Sequence, residues 1–355
     1  MRFQTAAGLY GGTWDANVCG AAGQDWFGSM NAVRQKTFRV RRPLQTTVAE
    51  PVELSGLGVH SNVPVSLVLH PAESDHGVVF RRTGVNGRRD VSISAHWSEV
   101  SMTELCTVIG DAGGAGVSTV EHLMSALSGL GIDNVLVEID GPEVPILDGS
   151  SAQFVEAIDE VGIVDLDAQR QYIKVLKPVR VDIGRGYSEL LPSQSGFRLE
   201  VEIDFDNDII GNQKRVFDFD PVSYRSEIAR ARTFGFLRDV ETLWKAGFAL
   251  GASLENTVAL EDERVLNPEG LRFPDEFVRH KMLDAVGDLA LAGAPLIGHY
   301  RSYCGGHKLN VAVLEALFSD PEAFAVVRES SEKRREVANG GALGAFAPAY
   351  GPDVY

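Results

Sequence analysis

Two stretches far apart in the chain share one pattern. Val120-Glu121-His122-Leu123-Met124 and Val278-Arg279-His280-Lys281-Met282 both read V-x-H-x-M, and each continues with Ala, Gly and Leu at similar offsets. Each also follows a run of short strands. Residues 65–69 and 77–81, with 37–40 before them, mix apolar and polar positions between turns as half-buried antiparallel strands do. Residues 118–130 then predict a helix, with Val120, Leu123, Leu127 and Leu130 on one side, Ser118 or Thr119 as N-cap and Gly131 just past the end. A strand at 134–139, a Pro/Gly/Asp loop at 141–151 and a helix at 152–161 follow, and this unit closes near Leu166. The succession restarts with strands at 172–181, 187–191 and 197–205 and a helix near 224–230. A long helix then runs from Pro274, with Asp275 and Glu276 in its first turn, to Gly293. Matching patterns at matching points imply a duplicated α+β unit, with one histidine from each copy meeting at the interface. The 355 residues suit this, being too many for one ordinary core and enough for two of roughly 150.

Composition narrows what the chain can do. With 44% hydrophobic and 23% charged residues it can bury a sizeable core. No stretch approaches the ~20 apolar residues of a membrane span, and no secretion signal is evident at the start. Cys19, Cys106 and Cys304 make neither a disulfide framework nor a C-x-x-C pair, so a reducing cytoplasm is the expected home. A net charge of -16 opposes nucleic-acid binding. The residues before about 40, rich in Gly and Ala and lacking any period, are expected to form a floppy extension.

On the long helix, His280, Asp284 and Asp288 share one stripe, opposite Val278, Met282, Ala285, Val286 and Leu289. The spacing alone most often marks a solvated polar face. Phe277, Leu283 and Leu291 flank the stripe, however, and a carboxylate among apolar neighbours needs a partner. A metal would supply one. Two histidines and a carboxylate leave an open position on tetrahedral zinc, as when zinc activates water, and His122 is the natural third ligand. Glu121, beside His122, is either the general base for attack on a carbonyl or an acid placed for the helix dipole. His307, in Tyr303-Cys304-Gly305-Gly306-His307, is either a loop histidine that protonates a leaving amine or a surface residue. Thr233 offers a hydroxyl to an oxyanion or else caps a helix. The glycines of 112–116 and 56–58 read as turns.

Several of these segments together resemble the UDP-3-O-acyl-N-acetylglucosamine deacetylase family, over about residues 37–327. They are Ser118-Thr119-Val120-Glu121-His122-Leu123, Asp133-Asn134, Pro142-Glu143-Val144-Pro145-Ile146-Leu147-Asp148-Gly149-Ser150, residues 232–236 and residues 275–288. The resemblance implies a cytoplasmic zinc amidase of lipid A synthesis. Its fold would be α+β with two similar domains, each a β-sheet packed on two helices, with the helices sandwiched between the sheets. The implied boundaries are a disordered extension 1–36, a first deacetylase domain 37–167, a second 170–328 with a β-α-β acyl-binding insert at 237–260, and a tail 329–355.

By resemblance, His122, His280 and Asp284 ligate Zn2+, Glu121 is the base, His307 the acid oriented by Asp288, and Thr233 stabilises the oxyanion. Leu105, Phe234 and Lys281 touch the acylated UDP-N-acetylglucosamine, while Leu237, Val240, Ala249, Ala252, Leu254 and Val258 line an acyl tunnel. A monomer is expected, with no nucleic acid and no membrane insertion, and peripheral membrane contact left open. The chain departs from the family at Cys304 and near Gly186, where lysines are usual, and at Glu104 and Asn62; Arg185, Arg301 or Lys308 would replace the missing charge. The rival reading is a metal-binding paralogue that regulates or scaffolds without turnover.

Overall fold

The computed structural model describes residues 43–84, 90–262 and 264–328; the expected strand at 37–40, the extension 1–36 and the tail 329–355 fall outside these. Alternation of apolar and polar residues builds two larger sheets. In Pro64–Pro71, Val65, Leu67 and Leu69 are buried while their neighbours are more accessible. This strand lies between Val52–Leu57 and Val135–Ile139, and Val78–Arg82 and Val91–Ser94 complete a five-stranded sheet. Val135–Ile139 runs parallel to Val78–Arg82 and antiparallel to Pro64–Pro71.

The second sheet repeats this order. Val179–Ile183, Gly186–Leu191, Leu296–Tyr303, Phe197–Asp204 and Asn212–Asp218 lie side by side, and Leu296–Tyr303 is parallel to Phe197–Asp204 and antiparallel to Gly186–Leu191. Gln171–Val175 and Phe324–Arg328 extend it to seven strands. In both halves the last-arriving of the five strands in this common order inserts at the centre.

Among the described residues, six α-helices accompany the sheets: α1 Glu121–Leu130, α2 Ala152–Val161, α3 Pro221–Glu227, α4 Leu237–Lys245, α5 Glu276–Ala290 and α6 His307–Ser319. Helix α1 precedes the central strand of the first sheet and α2 follows it, and α5 and α6 stand likewise to the second. Helix α5 packs along α1 on one side and against Phe197–Asp204 and Asn212–Asp218 on another. Being covered from several directions, α5 is buried without a break from Met282 to Leu289, and α1 is buried at every residue but Ser128. Where they cross, a Cβ on Gly287 would lie 1.9 Å from the Glu121 carbonyl oxygen. Only glycine permits that approach.

Several local expectations are corrected. Helix α1 begins at Glu121 with Val120 in the cap position and no side-chain cap bond, because Thr119 takes φ +57° and turns its hydroxyl to Glu143 instead. Helix α5 spans Glu276–Ala290 rather than 274–293, and α3 spans Pro221–Glu227 rather than 224–230, with Asp220 accepting from the Val222 N–H. The expected strand 172–181 is two strands, since residues 176–178, ending in Pro178, carry the chain from one position in the sheet to another. Gly56 lies within the strand Val52–Leu57, not a turn. Gly131, at φ +79°, does end α1 as expected.

Candidate active site

Helices α1, α5 and α6 bring together the residues that could do chemistry. His122 stands on the first turn of α1, and His280, Asp284 and Asp288 on successive turns of α5. The stripe is not a solvated face: His280, Asp284 and Asp288 are 1%, 2% and 0% exposed. Asp284 Oδ1 lies 3.6 Å from His122 Nε2 and 3.4 Å from His280 Nε2, and the two rings meet at 90° with centroids 5.1 Å apart.

His280 Nδ1 donates to the Ala231 carbonyl at 3.1 Å, so its Nε2 presents a lone pair to Asp284. Burial pushes the His280 ring down to about 3, keeping it neutral. Burial opposes charge on Asp284 too, but His280 and the Lys281 ammonium, 2.8 Å from Oδ2, hold the carboxyl well below its ordinary range. A buried carboxylate oxygen with no hydrogen-bond partner thus faces the acceptor Nε2 of His280 and the Nε2 of His122. Acceptors aimed at one point are unfavourable unless a cation lies among them. Two imidazole nitrogens and one carboxylate oxygen, mutually within 4.8 Å, form a donor set that suits zinc.

A second cluster adjoins it. His307 is the first residue of α6, not a loop residue, because Gly306 takes the extended cap position before it. Its Nδ1 is 2.8 Å from Asp288 Oδ2, and its Nε2 is 3.7 Å from Glu121 Oε1. Burial disfavours the imidazolium, yet Asp288 and Glu121 outweigh this and raise His307 to about 10. Burial lifts the Glu121 carboxyl above its usual value, opposed chiefly by His307. Glu121 is therefore more than a dipole-compensating acid at the surface, being 3% exposed.

Thr233 lies beyond α3, whose C-cap is Ile228, so the helix-cap alternative fails. Its N–H bonds to the Gly149 carbonyl and its carbonyl accepts from Val258, tying it between the loop after the first sheet and the strand Val258–Glu261. Phe234 follows, with its ring centroid 6.2 Å from His280 and 5.5 Å from Lys281 Nζ. Lys281 also lines a pocket of about 200 Å³ with Arg185, Gly186, Asp204, Phe205 and Cys304. Arg185 is thus at the site, bonded to the Asp204 carbonyl. Arg301 is not: it alternates with buried Tyr300 and Ser302, placing it beside Glu189, 2.9 Å away, on the outer face of the sheet. Lys308 is exposed on the first turn of α6.

Leu105 is exposed at φ +66°. The β-α-β unit expected at 237–260 begins earlier, with the strand Phe234–Phe236, which pairs in parallel with Val258–Glu261 and is joined to it through α4. Its tunnel candidates separate: Leu237 and Leu254 are exposed, Val240 and Ala249 half-buried, Val258 wholly buried, and Ala252 lines a cleft of about 660 Å³ with Leu57, Leu147 and Leu250.

This chain matches the LpxC family, described as UDP-3-O-acyl N-acetylglycosamine deacetylase, over residues 45–319. It belongs to that family. The UDP-3-O-acyl-N-acetylglucosamine deacetylases of Brucella ovis and Brucella suis are each 53% identical to it over 284 residues, covering 80% of this chain and 98% of theirs. That of Brucella melitensis is 52% identical over the same length.

Sequence reasoning passed over the residues that brace this family member's site. Thr107 reaches both Glu121 and Asp288, and Asn310 donates to Asp288 at 2.8 Å while accepting from Tyr300. Glu143, quoted above only as part of a motif, accepts from the backbone of His60 and Ser61 and from the Ser61 and Thr119 hydroxyls. A Cβ at Gly58 would sit 2.1 Å from its carboxylate, which explains the glycine. Arg232 is buried with its Nε 2.9 Å from Glu276. None of these contacts leaves a periodic signal in sequence. The nearest clue to Asn310 was its place one turn after His307.

Proposed function

We propose that the cleft at α1, α5 and α6 removes the acetyl group from acylated UDP-N-acetylglucosamine by the residues assigned below. The chain is a UDP-3-O-acyl-N-acetylglucosamine deacetylase, and hydrolysis of that amide, releasing acetate, is its reaction in lipid A biosynthesis. The observation that carries the residue assignment is the meeting of two clusters: a neutral-histidine and carboxylate donor set, and Glu121 with His307 beside it.

His122, His280 and Asp284 would hold zinc, which when bound supplies a Lewis acid that polarises the carbonyl and acidifies water. Glu121, its carboxyl raised by burial, takes a proton from the attacking water. As the amide C–N bond breaks, His307 gives its Nε2 proton to the leaving nitrogen, and Asp288 keeps the ring oriented through Nδ1. Thr233 turns its hydroxyl to the developing oxyanion. Lys281, Phe234 and Leu105 contact the sugar nucleotide, with Arg185 supplying charge in the pocket beside Gly186 and Cys304. The segment 237–260 receives the acyl chain.

The recurrence of one strand order in both sheets supports two domains, 37–167 and 170–328. No helix among the described residues is long and apolar enough to cross a membrane, in keeping with cytoplasmic action on an amphiphilic substrate. The test is acetate release from the UDP-sugar with metal removed and restored; a zinc-replete protein that releases none refutes the assignment.

A further inference from the structure

We propose that Thr107 is a positioning residue that sets the general base and the general acid relative to one another, an inference that rests on the catalytic reading above. His307 lies between two carboxylates. Asp288 Oδ2 is 2.8 Å from its Nδ1, and Glu121 Oε1 is 3.7 Å from its Nε2. Thr107 holds the other oxygen of each. Its backbone N–H donates to Glu121 Oε2 at 3.0 Å, and its hydroxyl donates to Asp288 Oδ1 at 2.6 Å.

A carboxylate gripped through one oxygen can still swing about its last carbon–carbon bond, whereas one gripped through both has a fixed plane. Asn310 bonds to the same Asp288 oxygen as His307, so it does not replace the grip on Oδ1. Among the described residues, Thr107 is the side chain recorded on that oxygen. Three helices supply the groups concerned, Glu121 from α1, Asp288 from α5 and His307 from α6, and Thr107 belongs to none of them. One residue outside the helices therefore fixes the separation of groups that arrive from different parts of the chain. Thr107 is wholly buried, so it acts through the two carboxylates rather than on substrate.

The test compares variants at this position in the full-length zinc enzyme, following acetate release from the UDP-sugar. Thr107→Val keeps the shape and the N–H but removes the hydroxyl. Its kcat is expected to fall about ten- to hundredfold, less than removal of the acid or base itself, with KM changed by no more than about twofold. Thr107→Ser keeps the hydroxyl and should restore kcat to within about threefold of wild type. A valine variant at the wild-type rate, or a serine variant as slow as valine, overturns the proposal. Should valine prevent folding, Thr107→Ala and Thr107→Ser give the same comparison, since both lack the methyl and differ in the hydroxyl; equal kcat in the two overturns it. A wild-type control that releases no acetate instead brings down the catalytic reading, and this inference with it.

Discussion

Gly287→Ala should separate the two helices on which the site is built. The added Cβ would stand 1.9 Å from the Glu121 carbonyl oxygen, 2.7 Å from its carbon and 3.0 Å from its Cα. These are backbone atoms of α1, so no flexible side chain can move aside. Ordinary contact needs more than an additional ångström, and the helices must part by about that much. Overpacking of this kind costs about 1–3 kcal/mol, and rigid backbone puts the expected value at the upper end. At about 2.1 cal/mol/K of unfolding entropy per residue, each kcal/mol lowers the melting temperature of a chain of this size by about 1–2 °C, which predicts a fall of a few degrees. The same movement separates His122, next to Glu121, from His280 and Asp284, whereas zinc tolerates only about 0.2 Å around its ligand distances. Zinc affinity, read by competition with a chelating dye, should drop at least about tenfold, or roughly 1.4 kcal/mol. Gly113→Ala is the control, because a Cβ there meets only Asp111 Oδ1 at 3.6 Å, and it should change neither quantity. Wild-type stability and zinc affinity in Gly287→Ala would show that the close crossing does not set the site.

Glu121→Gln should retain fold and zinc yet lose on the order of a hundredfold or more in kcat; a variant with undiminished turnover would remove Glu121 from the base role. His307 is raised from 6.5 to about 10 in the metal-free protein, so the stability its charge contributes is fully present below pH about 6.5 and is lost as pH rises through about 10. Asp288→Asn should weaken that alkaline dependence, measured as the denaturant midpoint against pH, and an unchanged profile would contradict the pairing. Arg185, 65% exposed, should contribute only a screened contact, so Arg185→Ala should raise KM by less than about fivefold and more at low salt than at high. Cys304→Lys should change KM little; an improvement beyond about tenfold would show that Arg185 does not replace the missing charge.

Much of this protein could be read directly from its residues. Helix α2 occupies the expected 152–161, and Gly131 ends α1, because apolar period and capping chemistry are local properties of the backbone. The V-x-H-x-M pair pointed to histidines that meet, and they do, since a duplicated pattern encodes a shared interface. What the sequence could not decide was burial. The stripe of His280, Asp284 and Asp288 fits a wet surface as well as a metal site until α1 is laid against α5, and that packing depends on Gly287 meeting Glu121 at long range. Likewise, Arg185 and Arg301 were equal candidates in sequence. The two-residue period of Leu296–Tyr303 turns Arg301 to the far face, while the sheet beside it brings Arg185 to the pocket. Thr107 had no signal at all, because one hydroxyl bridging Asp288 and one N–H bridging Glu121 belong to no pattern along the chain and exist only once α1 and α5 are in place.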